Sequence, residues 1–257
     1  MQGERLTATM RLTLRRGCMT LLLTEIHCHE DYRRDVIVFA ADRQITRGGR
    51  RSNPQKKILP VTRLNAGVGY FGLAELPCGA QRSMPMDEWL KEFIDEHADC
   101  GDLECLAHAL AKELNRDAGH RGKNAISGFH IAGFNNQGLV EFWYVRNVAD
   151  DRQALLGEYQ VRRDYRRDPA DNPQPGTVRT FRNGDLRPHV AAWEGLDASL
   201  GQLIGAPGFR GLATPNDYVR WVKFKMAIII QFYKNWSREK PPIIGEEPDV
   251  FCVCGPG

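Results

Sequence analysis

The apolar positions divide the chain into a block of paired strands, a block of paired helices, and strands again. Residues 20–26 (TLLLTEI) and 36–41 (VIVFAA) read as strands joined by the polar HCHEDYRRD. Residues 57–62 (KILPVT) and 66–71 (AGVGYF) read as a second pair joined across RLN. These runs are more apolar than simple alternation, which predicts sheets covered on both faces. Two helices follow. Over 86–96, Trp89, Leu90, Phe93 and Ile94 form one stripe. Asp102 is placed to cap a second helix over 103–118, where Leu103, Leu106, Ala107, Leu110 and Leu114 recur at helical spacing and Gly119 closes it.

Residues 128–134 (GFHIAGF) and 139–145 (LVEFWYV) flank the turn Asn135-Asn136-Gln137-Gly138 and predict a hairpin. The polar, proline-containing stretch from 149 to about 180 predicts a surface insertion. A long helix over 216–236 carries Trp221, Phe224, Lys225, Ile228 and Phe232 on one face and Val222, Met226 and Ile229 on another, which predicts cover on more than one side. Pro241-Pro242 stops it, and 249–253 (DVFCV) forms a last strand. The expected fold class is α+β: a four-layer αββα sandwich of two mainly antiparallel sheets, in a single domain over 20–257.

At 257 residues and 42% hydrophobic, the chain can bury a sizeable core. Its 35 basic residues against 32 acidic ones are scattered, which argues against nucleic acid as a partner. The apolar runs, such as 227–230, are too short to span a bilayer, so no membrane association is expected. The first 17 residues (MQGERLTATMRLTLRRG) are basic without an apolar stretch of signal-peptide type. Seven widely spaced cysteines with no CxxC pair read as reduced thiols of a cytoplasmic protein. His27-Cys28-His29 offers at most two ligands on one strand face and no second pair, so a hairpin tip is expected there rather than a metal site.

Four positions carry candidate chemistry. Thr20 opens the first strand and Asp42 ends the second, in AADRQIT. Lys57 opens the third, in SNPQKKILPV, and Gly72 follows the fourth, in GVGYFGLAEL. If the two hairpins lie side by side with a common edge, hydroxyl, carboxylate, ammonium and glycine amide meet. Taken singly, Thr20 is an ordinary β-former, Asp42 a turn-capping carboxylate, and Gly72 a turn glycine. Lys56 rivals Lys57 and points to the opposite strand face.

The run TLLLTEI…DVIVFAADRQIT…KKILPV…GVGYFGLAEL resembles the first part of proteasome β-type subunits and of the related bacterial peptidase partnered by an AAA+ unfoldase. ISGFHIAGFNNQGLVEFWYV is similar to their hairpin after the second helix, and PPIIGEEPDVFCV to their final strand. The resemblance covers most of 20–257, apart from about 149–190. It implies an N-terminal nucleophile hydrolase of threonine-peptidase type, with Thr20 as nucleophile and its own α-amine as base. Lys57, selected over Lys56 by the pattern of Lys followed by Ile, would favour the deprotonated hydroxyl. Asp42 would hold that lysine, and the Gly72 amide would donate to the oxyanion. No metal or organic cofactor is implied. The implied partners are a peptide or unfolded protein substrate, further copies in a homo-oligomeric ring, and an AAA+ unfoldase.

An α-amine is exposed only if the first 19 residues are a leader, a propeptide or an over-extended start. Met19-Thr20 has the form of an initiator pair, which favours Thr20. Cleavage after Gly17 would instead expose Cys18, on the same strand face as Thr20, and give an amidase acting on small amides. Retention of the leader would leave a structural subunit. The chain departs from the resemblance late: it has no Gly-Ser-Gly-Ser run between 180 and 215, and FYKNWSREK offers Asn235 and Ser237 but no aspartate.

Overall fold

The structure is a computed structural model and describes residues 21–47, 50–52, 54–77, 83–118, 125–149, 154–174, 176–184, 194–238, 244–245 and 247–256. Strands β1 (Leu21–His27) and β2 (Val36–Asp42) form the centre of one antiparallel sheet. Two short strands follow, β3 (Ile45–Arg47) and β4 (Arg50–Ser52), and then β5 (Ile58–Val61) and β6 (Ala66–Phe71). Two more, β7 (Glu75–Pro77) and β8 (Ser83–Pro85), lead into helices α1 (Met86–Glu96) and α2 (Leu103–Asp117). Strands β9 (Gly128–Phe134), β10 (Val140–Val148), β11 (Leu155–Arg166) and β12 (Val178–Gly184) come next. Helices α3 (Glu194–Ile204) and α4 (Pro215–Trp236) precede the last strand, β13 (Pro248–Cys254).

The sheets run β12-β1-β2-β13 and β11-β10-β9-β6-β5. Every ladder in them is antiparallel. Period-two alternation puts Leu22, Ile26, Ile37 and Phe39 of the first sheet against Phe71, Ala132 and Phe142 of the second, forming the central core. The outer face of the second sheet buries Val68, Tyr70, Ile131 and Trp143 under α1 and α2. That of the first sheet buries Leu21, Leu23, Val38 and Ala40 under α4. The arrangement is the expected four-layer αββα sandwich.

Glycines set how closely the two sheets approach. A Cβ at Gly69 would lie 2.7 Å from a Leu22 methyl, and one at Gly67 would lie 2.8 Å from the Phe39 ring. The alternation in AGVGYF therefore puts Val68 and Tyr70 toward the helices, while Gly67 and Gly69 leave room for Phe39 and Leu22 of the facing sheet.

Several expectations are amended. The two hairpins do not lie side by side: β1–β2 and β5–β6 belong to different sheets and face each other across the sandwich. The stretch expected as an insertion contains an edge strand, β11 against β10, and ends within a second, β12 against β1. Their polar faces are exposed, as edge strands permit. Among the described residues α4 is buried along one side only. Val222, Met226 and Ile229 are buried, whereas Phe224, Phe232 and Trp236 are 50%, 62% and 75% exposed. Gly119, Pro241 and Pro242 lie outside the described residues.

One polar cluster is sealed between the sheets. His130 Nε2–H donates to Asn183 Oδ1 at 2.6 Å, so Nδ1 is left to accept from the Thr24 hydroxyl at 2.9 Å. Both ring nitrogens are satisfied in the neutral form, and burial pulls the His130 pKa down to about 3. A base shifted this way binds its proton more readily in the unfolded chain. Its contribution to stability is full above about 6.5 and is lost as pH falls toward about 3. Between pH 6.5 and 4.5 this residue should cost the fold about 2–3 kcal/mol. Urea unfolding of the native chain and of His130→Gln across that window checks it, and equal slopes would refute it.

Candidate active site

Asp42, at the end of β2, is fully buried, and so is Lys57, just before β5 in the other sheet. Lys57 Nζ lies 3.2 Å from Asp42 Oδ1 and donates to the Gln44 carbonyl at 2.8 Å. The same Oδ1 accepts the backbone N–H of Leu21 at 2.8 Å. Leu21 begins β1, and the ladder pairing Leu22 with Ala41 sets it opposite Asp42. One carboxylate thus ties together the start of β1, the end of β2 and the residue entering β5. Burial pushes the Asp42 carboxyl up from the usual range, while Lys57 and the N–H groups of Leu21 and Gln44 oppose that shift. Lys57 and the two backbone donors are what allow a carboxylate in this position at all.

The structure separates the two lysines that the sequence leaves adjacent. Lys57 is 0% exposed and faces Asp42, whereas Lys56 is exposed, its backbone N–H reaching the Asp87 carboxylate at 3.3 Å. The register is anchored by Tyr70, whose N–H donates to the Lys57 carbonyl at 3.0 Å, continuing the Ile58–Gly69 pairing.

Gly72 is brought to the same end of the sandwich, two residues beyond Tyr70, but its immediate neighbour is the segment before β9. Its φ is +90°, in the left-handed region that favours glycine. A Cβ there would lie 2.1 Å from the Ile126 carbonyl oxygen and 2.6 Å from Ser127 Cα. Both are backbone atoms and cannot swing aside. Gly72→Ala should therefore cost about 1–3 kcal/mol of stability by combining backbone strain with overpacking. Thermal unfolding of the variant checks this, and an unchanged midpoint would refute it.

Thr20 and Cys18 lie outside the described residues. Of the late candidates, Asn235 uses its amide on the Gln231 carbonyl of its own helix, and Ser237 is the C-cap residue of α4. The sequence reading missed the contributions of Leu21 and Gln44, because a backbone N–H and a backbone carbonyl leave no side-chain signature.

No protein family and no curated protein matches this chain at the level of sequence. Among solved structures it is similar to the Gly-1 mutant of Anbu from Hyphomicrobium sp. strain MC1. That likeness has a TM-score of 0.49 at 10% identity, covering 92% of this chain and 82% of the other. It is also similar to Anbu, described as an ancestral beta-subunit, from Yersinia bercovieri, with a TM-score of 0.47 at 10% identity over 91% and 82%. At one residue in ten and TM-scores under 0.5, these likenesses transfer neither a catalytic residue nor an assembly to this chain.

Proposed function

We propose that this chain is a proteasome-like N-terminal nucleophile hydrolase that cleaves peptide bonds through Thr20. The observation that carries the reading is the buried Lys57–Asp42 pair, whose carboxylate also accepts the Leu21 N–H. The residue preceding Leu21 is then one peptide bond from an N–H held by the carboxylate that also holds Lys57. That contact favours Thr20 over Cys18, which lies two residues further from Leu21.

In the proposed reaction the free α-amine of Thr20 takes the hydroxyl proton as Oγ attacks the peptide carbonyl. An α-amine has a pKa of about 7.7–8.0, so much of it is neutral near pH 7.5. Lys57 stabilises the developing alkoxide, and Asp42 holds the ammonium in place. The Gly72 N–H donates to the oxyanion, a contribution of about 2.7–4 kcal/mol for one such donor. The amine leaves with the proton, and water hydrolyses the resulting ester. Phe224, Phe232 and Trp236, exposed along one face of α4, support self-association of the subunit. The substrate would be a peptide or an unfolded chain delivered by an AAA+ unfoldase.

The test is the N-terminal sequence and intact mass of the protein purified from its own cells, before and after treatment with a peptide β-lactone. The expected result is a chain beginning at Thr20 that carries one adduct on its first residue. A chain beginning at Cys18 with the adduct there would make it a cysteine amidase. Retention of Met1 would overturn the reading, because an amide nitrogen cannot act as the base.

A further inference from the structure

Away from the Asp42–Lys57 cluster, two thiols meet at the entrance to α2. We propose that Cys100 and Cys105 form a reversible thiol–disulfide site, oxidised by a low-molecular-weight disulfide such as glutathione disulfide. Their sulfurs lie 2.6 Å apart. A covalent S–S bond is about 2.05 Å, so closure needs a movement of only about half an ångström.

The local fold holds both residues in place. The Cys105 N–H donates to Asp102 Oδ1 at 2.7 Å, the N-cap contact that fixes the first turn of α2. The Cys100 N–H donates to the His97 carbonyl at 3.2 Å, and the Arg63 guanidinium holds the carbonyls of Cys100 and His97 against the β5–β6 turn. Between the two thiols, a Cβ at Gly101 would meet nothing within 4 Å.

Access is unequal, and that orders the chemistry. Cys105 is exposed, whereas Cys100 is packed into the core beneath α1 and α2. Burial, reinforced by the neighbouring Cys105 sulfur, pushes the Cys100 thiol up to about 12. Cys105 therefore reacts first. Its thiolate attacks one sulfur of glutathione disulfide, the S–S bond breaks, and one glutathione leaves as thiolate and takes up a proton. The Cys100 thiol then loses its proton to solvent as its sulfur attacks that of Cys105, expelling the second glutathione. Two protein thiols are oxidised and one glutathione disulfide is reduced to two thiols, so the electrons balance.

The other close pair makes an internal contrast. Cys252 and Cys254 have sulfurs 3.6 Å apart and sit two residues apart on one face of β13. Extended backbone separates their Cα atoms by about 6.5 Å, near the upper end of the range a disulfide spans. The β2 ladder holds both positions in register. This pair should stay reduced.

The test equilibrates the full chain in glutathione buffers of rising oxidised fraction, blocks the remaining thiols, and maps linked peptides by mass spectrometry. The expected result is loss of two thiols in one intramolecular Cys100–Cys105 link, reversed by dithiothreitol. In Cys105→Ser, whose exposed side chain is not needed for the cap, no intramolecular link should form. The proposal is overturned if every thiol still alkylates in fully oxidised glutathione. It is equally overturned if the link is Cys252–Cys254 or intermolecular, or if glutathione stays attached to Cys105 beside a free Cys100.

Discussion

Lys57→Met is expected to abolish peptide hydrolysis and to cost about 3–5 kcal/mol of folding stability. The side chain is fully buried, 3.2 Å from Asp42 Oδ1, and the methionine fills similar volume without charge. What remains is a carboxylate sealed from water whose desolvation only backbone N–H groups offset. The adjacent Lys56→Met, at an exposed position, should change stability by less than about 0.5 kcal/mol and leave turnover intact. Adding Asp42→Asn to Lys57→Met removes the orphaned charge, so the double variant should regain part of the stability and none of the turnover. Urea unfolding and a fluorogenic peptide assay on the four proteins read all of this. Damage from Lys56→Met instead would mean that the register of β5 is off by one. Turnover surviving in Lys57→Met would end the proposed role of that residue.

Lys225→Met should be comparably costly, about 3–5 kcal/mol, at the far side of the first sheet. Lys225, on the buried face of α4, lies 2.5 Å from Glu25 Oε1 and 2.9 Å from Asp197 Oδ1. Arg182 holds the other oxygen of Asp197 at 2.9 Å, and His27 Nε2 lies 3.2 Å from Glu25 Oε2. The network joins β1, β12, α3 and α4. Burial alone would raise the Glu25 carboxyl, but its contacts with His27 and Lys225 prevail and hold it at about 2. An acid shifted downward stabilises the fold above its unfolded value near 4.5 and loses that contribution as pH falls toward about 2. The full difference corresponds to about 3 kcal/mol at neutral pH. Without Lys225 the sign should reverse, because burial then dominates and proton uptake at Glu25 relieves an uncompensated charge. The deficit of Lys225→Met relative to the native chain should therefore shrink between pH 8 and pH 5. A deficit under 1 kcal/mol, or one that grows with acidification, would refute the account.

Much of the architecture was legible along the chain. The strand over 66–71 and the helix over 86–96 have their predicted bounds, and the Asp102 cap is present. Apolar periodicity is strong where an element has a core on one side or both, as in VIVFAA and LECLAHAL. Legibility fails where burial is weak. The edge strand β11 reads as part of a polar insertion, because LLGEYQVRRDYR leaves most of its side chains in solvent. Helix α3 went unread for the same reason, since none of its residues is buried.

For the candidate site, the residue types Asp42, Lys57 and Gly72 and their order along the chain could be read from AADRQIT, QKKILPV and YFGLAEL. Alternation says only that Lys56 and Lys57 face opposite ways; the choice of Lys57 came from the Lys-Ile pattern of the resemblance, and Lys57 is the buried one of the two.

The sequence by itself determined the elements that have a buried face, since 3.6- and 2-residue periodicities are properties of neighbours along the chain. Only the tertiary structure decided that the two hairpins face each other, that Leu21 and Lys57 share one carboxylate oxygen, and that Lys225 meets Glu25 from 200 residues away. Those contacts depend on desolvation, and a charge is desolvated by whatever the fold stacks over it, which local pattern does not encode.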